Sequence, residues 1–189
     1  MKVVAILGSP RKQSNSHKLV NEALDALPQK DLTIKKYLLN DLNAKGCQGC
    51  FACKGKSDVC VQQDDLTLVL ADVKEADLVI LASPVYIGEV TAQTKIFIDR
   101  TFSYFMPDYV TNPNPTRLPS GKKMLFILTQ GMPDKSAYEG SVLGHYGSYF
   151  KRQGFDFQTF IASGQGMDDI LLKNPGLVEE LKRIIQNMN

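Results

Sequence analysis

Short apolar runs alternate along the chain with stretches in which apolar residues recur at helical spacing. Val3–Leu7 is a continuous apolar run that stops at Gly8, the pattern of a strand buried on both faces. Lys18–Leu27 places Leu19, Val20, Ala23, Leu24 and Leu27 on one helical face, and Thr33–Leu39 reads as a second strand. A helix over Asp65–Lys74, with Asp64 or Asp65 as its cap, leads to a third apolar strand at Asp77–Ala82. Thr91–Phe105 is amphipathic and predicts a helix. Residues Met106–Lys122 carry four prolines and predict a long loop, able to cover a bound ring or meet a second copy. A fourth strand at Lys123–Leu128, a helix at Tyr138–Gln153 and a fifth strand at Phe155–Ile161 follow. Asn174-Pro175 then opens the last helix with an asparagine cap and proline in its first turn.

Strands alternating with helices predict a parallel sheet covered on both faces. The expected architecture is α/β: a flavodoxin-like, doubly wound five-stranded parallel sheet of order 2-1-3-4-5, in one domain over 1–189. A cysteine-rich insertion interrupts it at about 43–63. In that order the strand sequence reverses between strands 1 and 3, so the loops after strands 1, 3 and 4 should carry the site.

Composition narrows the class. At 43% hydrophobic and 22% charged the chain reads as an ordinary globular protein. A net charge of +2, without a lysine–arginine run, supports neither nucleic-acid nor membrane-surface binding. The apolar stretch after Lys2 is too short for a signal core, and the chain reads as cytosolic. In that compartment the four cysteines, in a C-x2-C-x2-C-x6-C array at Cys47, Cys50, Cys53 and Cys60, suggest metal ligands or redox groups over disulfide staples.

The loop after strand 1, GSPRKQSNS, offers the hydroxyls of Ser9, Ser14 and Ser16, the amide of Asn15 and the cations Arg11 and Lys12, just ahead of a helix N-terminus. This set suits a phosphate, although it is neither a Walker loop nor a GxGxxG turn. After strand 3, SPVYIGEVTAQTKIFIDR supplies turn residues Pro84 and Gly88 and the flat ring of Tyr86; after strand 4, Thr129-Gln130-Gly131 makes a small polar turn at the same rim. His17 and His145 have no metal partner nearby in sequence and are expected to be exposed or to pack.

These segments together resemble the NAD(P)H-dependent FMN reductase family of flavodoxin-like proteins. The resemblance implies that Ser9, Arg11, Ser14, Asn15 and Ser16 hold the FMN phosphate. It implies that Pro84, Val85, Tyr86 and Ile87 run along the isoalloxazine, with Thr129, Gln130 and Gly131 closing its other side. Lys95, Asp99 and Arg100 match the KxxxDR portion and are expected to form a structural pair at a helix end or subunit contact. Within the family the cysteine array resembles that of the iron–sulfur flavoproteins. That implies a [4Fe–4S] cluster on Cys47, Cys50, Cys53 and Cys60, with Gly46, Gly49 and Gly55 letting the backbone turn. Zinc, a redox disulfide, or cysteines holding no cluster remain as alternatives. The implied activity moves electrons from a reduced nicotinamide (NADH or NADPH) through FMN to an unidentified acceptor, in a homodimer or homotetramer. Two rivals are a non-enzymatic flavodoxin-like carrier, disfavoured by the slightly basic charge, and a zinc-stabilised sensor module.

Overall fold

A computed structural model describes residues 1–164, 166 and 174–188. Its sheet is built from β1 (Lys2–Leu7), β2 (Thr33–Leu38), β3 (Leu78–Tyr86), β5 (Lys123–Thr129) and β6 (Asp156–Ala162), in the order β2-β1-β3-β5-β6 and all parallel. The two-residue β4 (Glu89–Val90) pairs antiparallel with the end of β3. Setting β4 aside, the order is the expected 2-1-3-4-5. Among the described residues, five helices of nine or more residues flank the sheet: α1 (Asn15–Asp25), α2 (Leu66–Glu75), α3 (Ala92–Arg100), α4 (Gly144–Arg152) and α5 (Pro175–Asn187).

The period-2 geometry of the strands divides the core into two layers. Val4 and Ile6 of β1, Val79 and Leu81 of β3, and Met124, Phe126 and Leu128 of β5 point one way, into a cluster with α2, α3 and α4. The intervening residues Val3, Ala5 and Leu7, then Leu78, Ile80 and Ala82, then Leu125 and Ile127, point the other way, into α1 and α5. Each fully buried aliphatic or aromatic side chain there contributes about 1.5–3 kcal/mol of burial free energy. The edge strand β2 is mostly exposed and carries Lys35 and Lys36, charges that discourage edge-to-edge pairing.

Three elements differ from expectation. The helix expected over Thr91–Phe105 ends at Arg100 and tightens into a 3₁₀ turn at Thr101–Tyr104, where the Thr101 hydroxyl donates to Ile98 C=O (2.6 Å). β3 runs on past Ala82 through Ser83, Pro84, Val85 and Tyr86, with Ser83 and Pro84 beside Leu128 and Thr129 of β5. The helix expected from Tyr138 begins as a π turn at Glu139–Leu143 before α4 proper. The proline-rich segment is a loop as expected, pinned at its neck by the Phe105–Thr116 bridge. No helix among the described residues is long and apolar enough to cross a membrane.

Candidate functional site

The loops after β1, β3 and β5 meet at the carboxyl edge of the sheet. Gly8 N–H donates to Ala82 C=O (2.8 Å), carrying the β1–β3 ladder into the first loop. Thr91, the N-cap of α3, accepts from Thr94 N–H (3.2 Å) and donates its hydroxyl to Gly8 C=O (2.7 Å). Its own N–H donates to Ser83 Oγ (3.1 Å). A Cβ on Gly8 would lie 1.9 Å from Thr94 Oγ1 and 2.9 Å from Ala82 O, so this crossing admits only glycine.

In the first loop Ser9, Ser14, Asn15 and Ser16 are buried, whereas Arg11 is exposed. Ser9 Oγ accepts from Arg11 N–H (3.2 Å), and Ser14 caps α1 by accepting from His17 N–H (3.3 Å) while lying 3.0 Å from Ser16 Oγ. The first turn of α1 holds no carboxylate, so the positive end of the helix faces the loop without a competing negative charge.

His17 is buried rather than exposed, and it braces this loop. Its Nδ1 lies 3.0 Å from Lys12 C=O. A carbonyl only accepts, so Nδ1 carries the proton and Nε2, which is buried and without a partner, is left as a bare lone pair. Burial pushes the imidazole below its ordinary pKa, against opposing contributions from the Lys12 and Ser9 backbone and from Asp41. Burial thus favours the neutral ring.

The second loop is a tight hairpin. Val85 pairs with Val90 and Tyr86 with Glu89, and the two residues between, Ile87 (φ 51°) and Gly88 (φ 79°), both take positive φ. A β-branched residue in the left-handed region is strained, and Ile87 is also 104% exposed. Pro84 is buried, Val85 half-buried and Tyr86 exposed, so the hairpin presents apolar surface at the rim. In the third loop Thr129 and Gln130 are buried and Gly131 is exposed. Gln130 is fixed by Nε2 donating to Met132 C=O (3.1 Å) and Asp134 C=O (2.7 Å), while its buried Oε1 has no partner. The residues expected to hold FMN thus line one edge. Their donor set, of short hydroxyls and a helix N-terminus beside an apolar hairpin, fits a group with a phosphate at one end and a flat ring at the other.

The cysteine segment lies between β2 and α2. All four thiols are free, and Cys47, Cys50, Cys53 and Cys60 line one small cavity of about 30 Å³ with Phe51, Arg100 and Phe102. Of the three glycines expected to turn this backbone, Gly49 takes positive φ (61°), and the other sharp position is Phe51 (φ 55°). Among the described residues no group of three or more His, Cys, Asp or Glu stands close enough to hold a metal ion. The donor set nevertheless fits a thiolate-bound group by its chemistry: four soft sulfurs face one cavity, with a buried cation against one of them.

That cation is Arg100, expected from the KxxxDR match to join a structural pair at a helix end or subunit contact; its partner is Asp64 instead. The Arg100 side chain is completely buried. Nε lies 3.1 Å from Cys60 Sγ, Nη1 donates to Lys45 C=O (2.9 Å) and Asp64 Oδ2 (2.6 Å), and Nη2 to Gln62 C=O (3.3 Å) and Asp64 Oδ1 (3.2 Å). Burial opposes the guanidinium charge, but Asp64 and Cys60 outweigh it and push its pKa up. Burial likewise raises Asp64, and the bonds from Arg100 and the Lys45 and Leu66 backbone pull it below the usual carboxylate range. Asp64 is therefore more than a helix cap. Lys95 and Asp99 form an exposed i,i+4 pair (2.5 Å), as a structural pair should. Lys54 anchors the other side of the segment, donating to the carbonyls of Phe102 and Phe105 (both 2.7 Å) and standing 4.1 Å over the Phe102 ring. A groove of about 390 Å³ runs from Cys47 and Gly49 to His145, Tyr146 and Tyr149 of α4, and Tyr146 Oη lies 3.1 Å from Glu89 Oε1 in the hairpin.

Comparison with known proteins bears on the fold and on the family. The fold matches that of an FMN-dependent NADH-azoreductase from Bacillus anthracis, solved in complex with FMN, with TM-score 0.74 at 18% identity over 100% of this chain and 99% of the other. An iron–sulfur flavoprotein of Archaeoglobus fulgidus is 45% identical over 104 residues, 55% of this chain and 47% of the relative. An iron–sulfur flavoprotein of Methanocaldococcus jannaschii is 43% identical over 101 residues, 53% of this chain and 52% of the relative. The chain thus spans about half the length of these curated relatives. The family model described as NADPH-dependent FMN reductase matches residues 1–145, and the chain belongs to that family.

Proposed function

We propose that the chain is a flavin oxidoreductase that takes electrons from NADH or NADPH and passes them to an acceptor, with an iron–sulfur cluster on the four cysteines as the second redox group. The observation that carries the reading is the convergence of the Gly8–Ser16 loop, the Pro84–Ile87 hairpin and the Thr129–Gly131 turn on one sheet edge, locked by the Thr91–Gly8 hydrogen bond. Bound FMN would supply hydride acceptance from the nicotinamide and onward release of single electrons.

The protein's share is binding, orientation and exclusion of water. The α1 N-terminus and the hydroxyls of Ser9, Ser14 and Ser16 supply phosphate donors, and exposed Arg11 can swing its guanidinium onto the same oxygens. Backbone groups of Pro84, Val85, Tyr86 and Ile87 give a planar ring an edge to lie along, and Thr129, Gln130 and Gly131 bound its other side. No side-chain acid or base is required for hydride transfer itself. Cys47, Cys50, Cys53 and Cys60 would hold the cluster, which agrees with the names of relatives that match about half of this chain. One observation favours a second reading, a reductase of the same kind with no cluster: the four thiols are not drawn close enough together to ligate one centre.

Stopped-flow mixing of the anaerobic, FMN-loaded protein with NADH and with NADPH tests the activity. Bleaching of the flavin band by either is expected. No bleaching by both would leave a carrier rather than a reductase.

A further inference from the structure

Arg100 uses every N–H direction of its guanidinium, and each goes to the segment that carries the cysteines or to its boundary. Lys45 precedes Cys47, whereas Gln62 and Asp64 follow Cys60, so one side chain ties together both ends of the cysteine loop. The same side chain reaches Cys60 Sγ at 3.1 Å. Arg100 itself is held by α3, whose N-cap Thr91 is bonded to Gly8 in the phosphate loop.

We propose that Arg100 is the positioning residue of the cysteine centre: it closes the Lys45–Asp64 loop, sets Cys60 as the fourth ligand, and tunes the bound group through its N–H···S bond. This rests on the iron–sulfur reading of the four cysteines. Two physical consequences separate it from a role in folding alone. A cluster carries net negative charge that grows on reduction, so a buried cation donating to a ligand sulfur favours the reduced form and raises the potential. The fork geometry is also specific. Lysine keeps the charge but cannot reach sulfur, carboxylate and two carbonyls at once, so it should recover only part of the effect.

The test uses the full chain, reconstituted anaerobically with ferrous iron, sulfide and FMN, as wild type, Arg100→Lys and Arg100→Gln. Iron, acid-labile sulfide and FMN are assayed per chain, and the midpoint potential of the cluster is read by EPR-monitored titration. The expected result is a lowered midpoint in Arg100→Gln, by about tenfold in the oxidised-to-reduced ratio (~59 mV for a one-electron couple), and a smaller lowering in Arg100→Lys. Loss of iron and sulfide from Arg100→Gln with FMN still bound also supports the proposal, provided that Arg100→Lys shows the lowered midpoint. If Arg100→Gln binds no FMN, the Arg100→Lys midpoint alone decides. A midpoint in Arg100→Lys equal to wild type overturns the proposal, as does a wild-type midpoint in Arg100→Gln. Wild type that binds FMN but no iron or sulfide defeats the iron–sulfur reading itself, and the proposal with it.

Discussion

Arg100 and Asp64 form a two-pronged pair, Nη1 to Oδ2 at 2.6 Å and Nη2 to Oδ1 at 3.2 Å, across a separation of 36 residues. The guanidinium is wholly enclosed, so the pair's stability lies mainly in the cost of breaking it. Asp64→Asn leaves a buried charge without its counterion and should destabilise the chain by ~3–5 kcal/mol at pH 7, read by urea denaturation. The native carboxyl sits below its usual range, so this contribution is complete above the unfolded-state pKa and vanishes as pH falls through the native value. The gap between wild type and Asp64→Asn should therefore close in strong acid. A gap that stays constant down to pH 2 would mean that the charge pairing is not its source.

His17 predicts a second pH dependence, in a different window. Its native pKa is depressed by burial, so the unfolded state binds more protons just below its ordinary value of 6.5. Stability should be full above pH 6.5 and decline as pH falls toward the native pKa. His17→Asn should remove that slope between pH 7.5 and 5.5 in denaturant titrations of the flavin-free protein. An unchanged slope would place the titrating group elsewhere.

Gly8→Ala sets a methyl group against Thr94 Oγ1 and Ala82 O, one a side chain and the other the strand itself. Overpacking of this kind costs ~1–3 kcal/mol, and here it pushes the Gly8–Ser16 loop off the N-terminus of α3. The variant should melt lower and bind FMN at least tenfold more weakly by fluorescence quenching. Adding Thr94→Ala should recover only part of the loss, because Ala82 O remains in the way.

Ile87 makes the opposite prediction for stability. An L residue other than glycine pays ~1–2 kcal/mol in the left-handed region, and Ile87, fully exposed, gains no packing in return. Ile87→Gly should raise the melting temperature of the flavin-free protein by ~2–4 °C while weakening FMN binding, the signature of strain kept for a ligand. A variant that is no more stable would show that the turn is relaxed.

The sheet was legible because its strands announce themselves locally: Val3–Leu7 and Leu78–Ala82 are unbroken apolar runs, each with residues in both core layers. The end of β3 was not, because Pro84 reads as a breaker, yet it stays buried and in register with Thr129 of β5. The role of Arg100 was hidden for another reason. Its partners lie 36 to 55 residues away, and a basic residue at a helix end ordinarily faces solvent or the helix dipole. One signal was available: the Asp64-Asp65 pair just after the last cysteine offers countercharge at a place where a helix needs only one cap. The rim loops were legible as a set because the fold dictates where they meet, while the burial and tautomer of His17 depend on packing that spacing does not reveal.

In the proposed function the sheet edge holds FMN while the cysteines hold iron and sulfide. Purification without oxygen, a visible spectrum, and iron, sulfide and zinc assays on that one sample test it most directly. The expected result is flavin bands riding on a broad absorbance near ~400 nm, with about four irons and four sulfides per chain and no zinc. A protein without flavin bands, or one whose cysteines hold zinc, would contradict it.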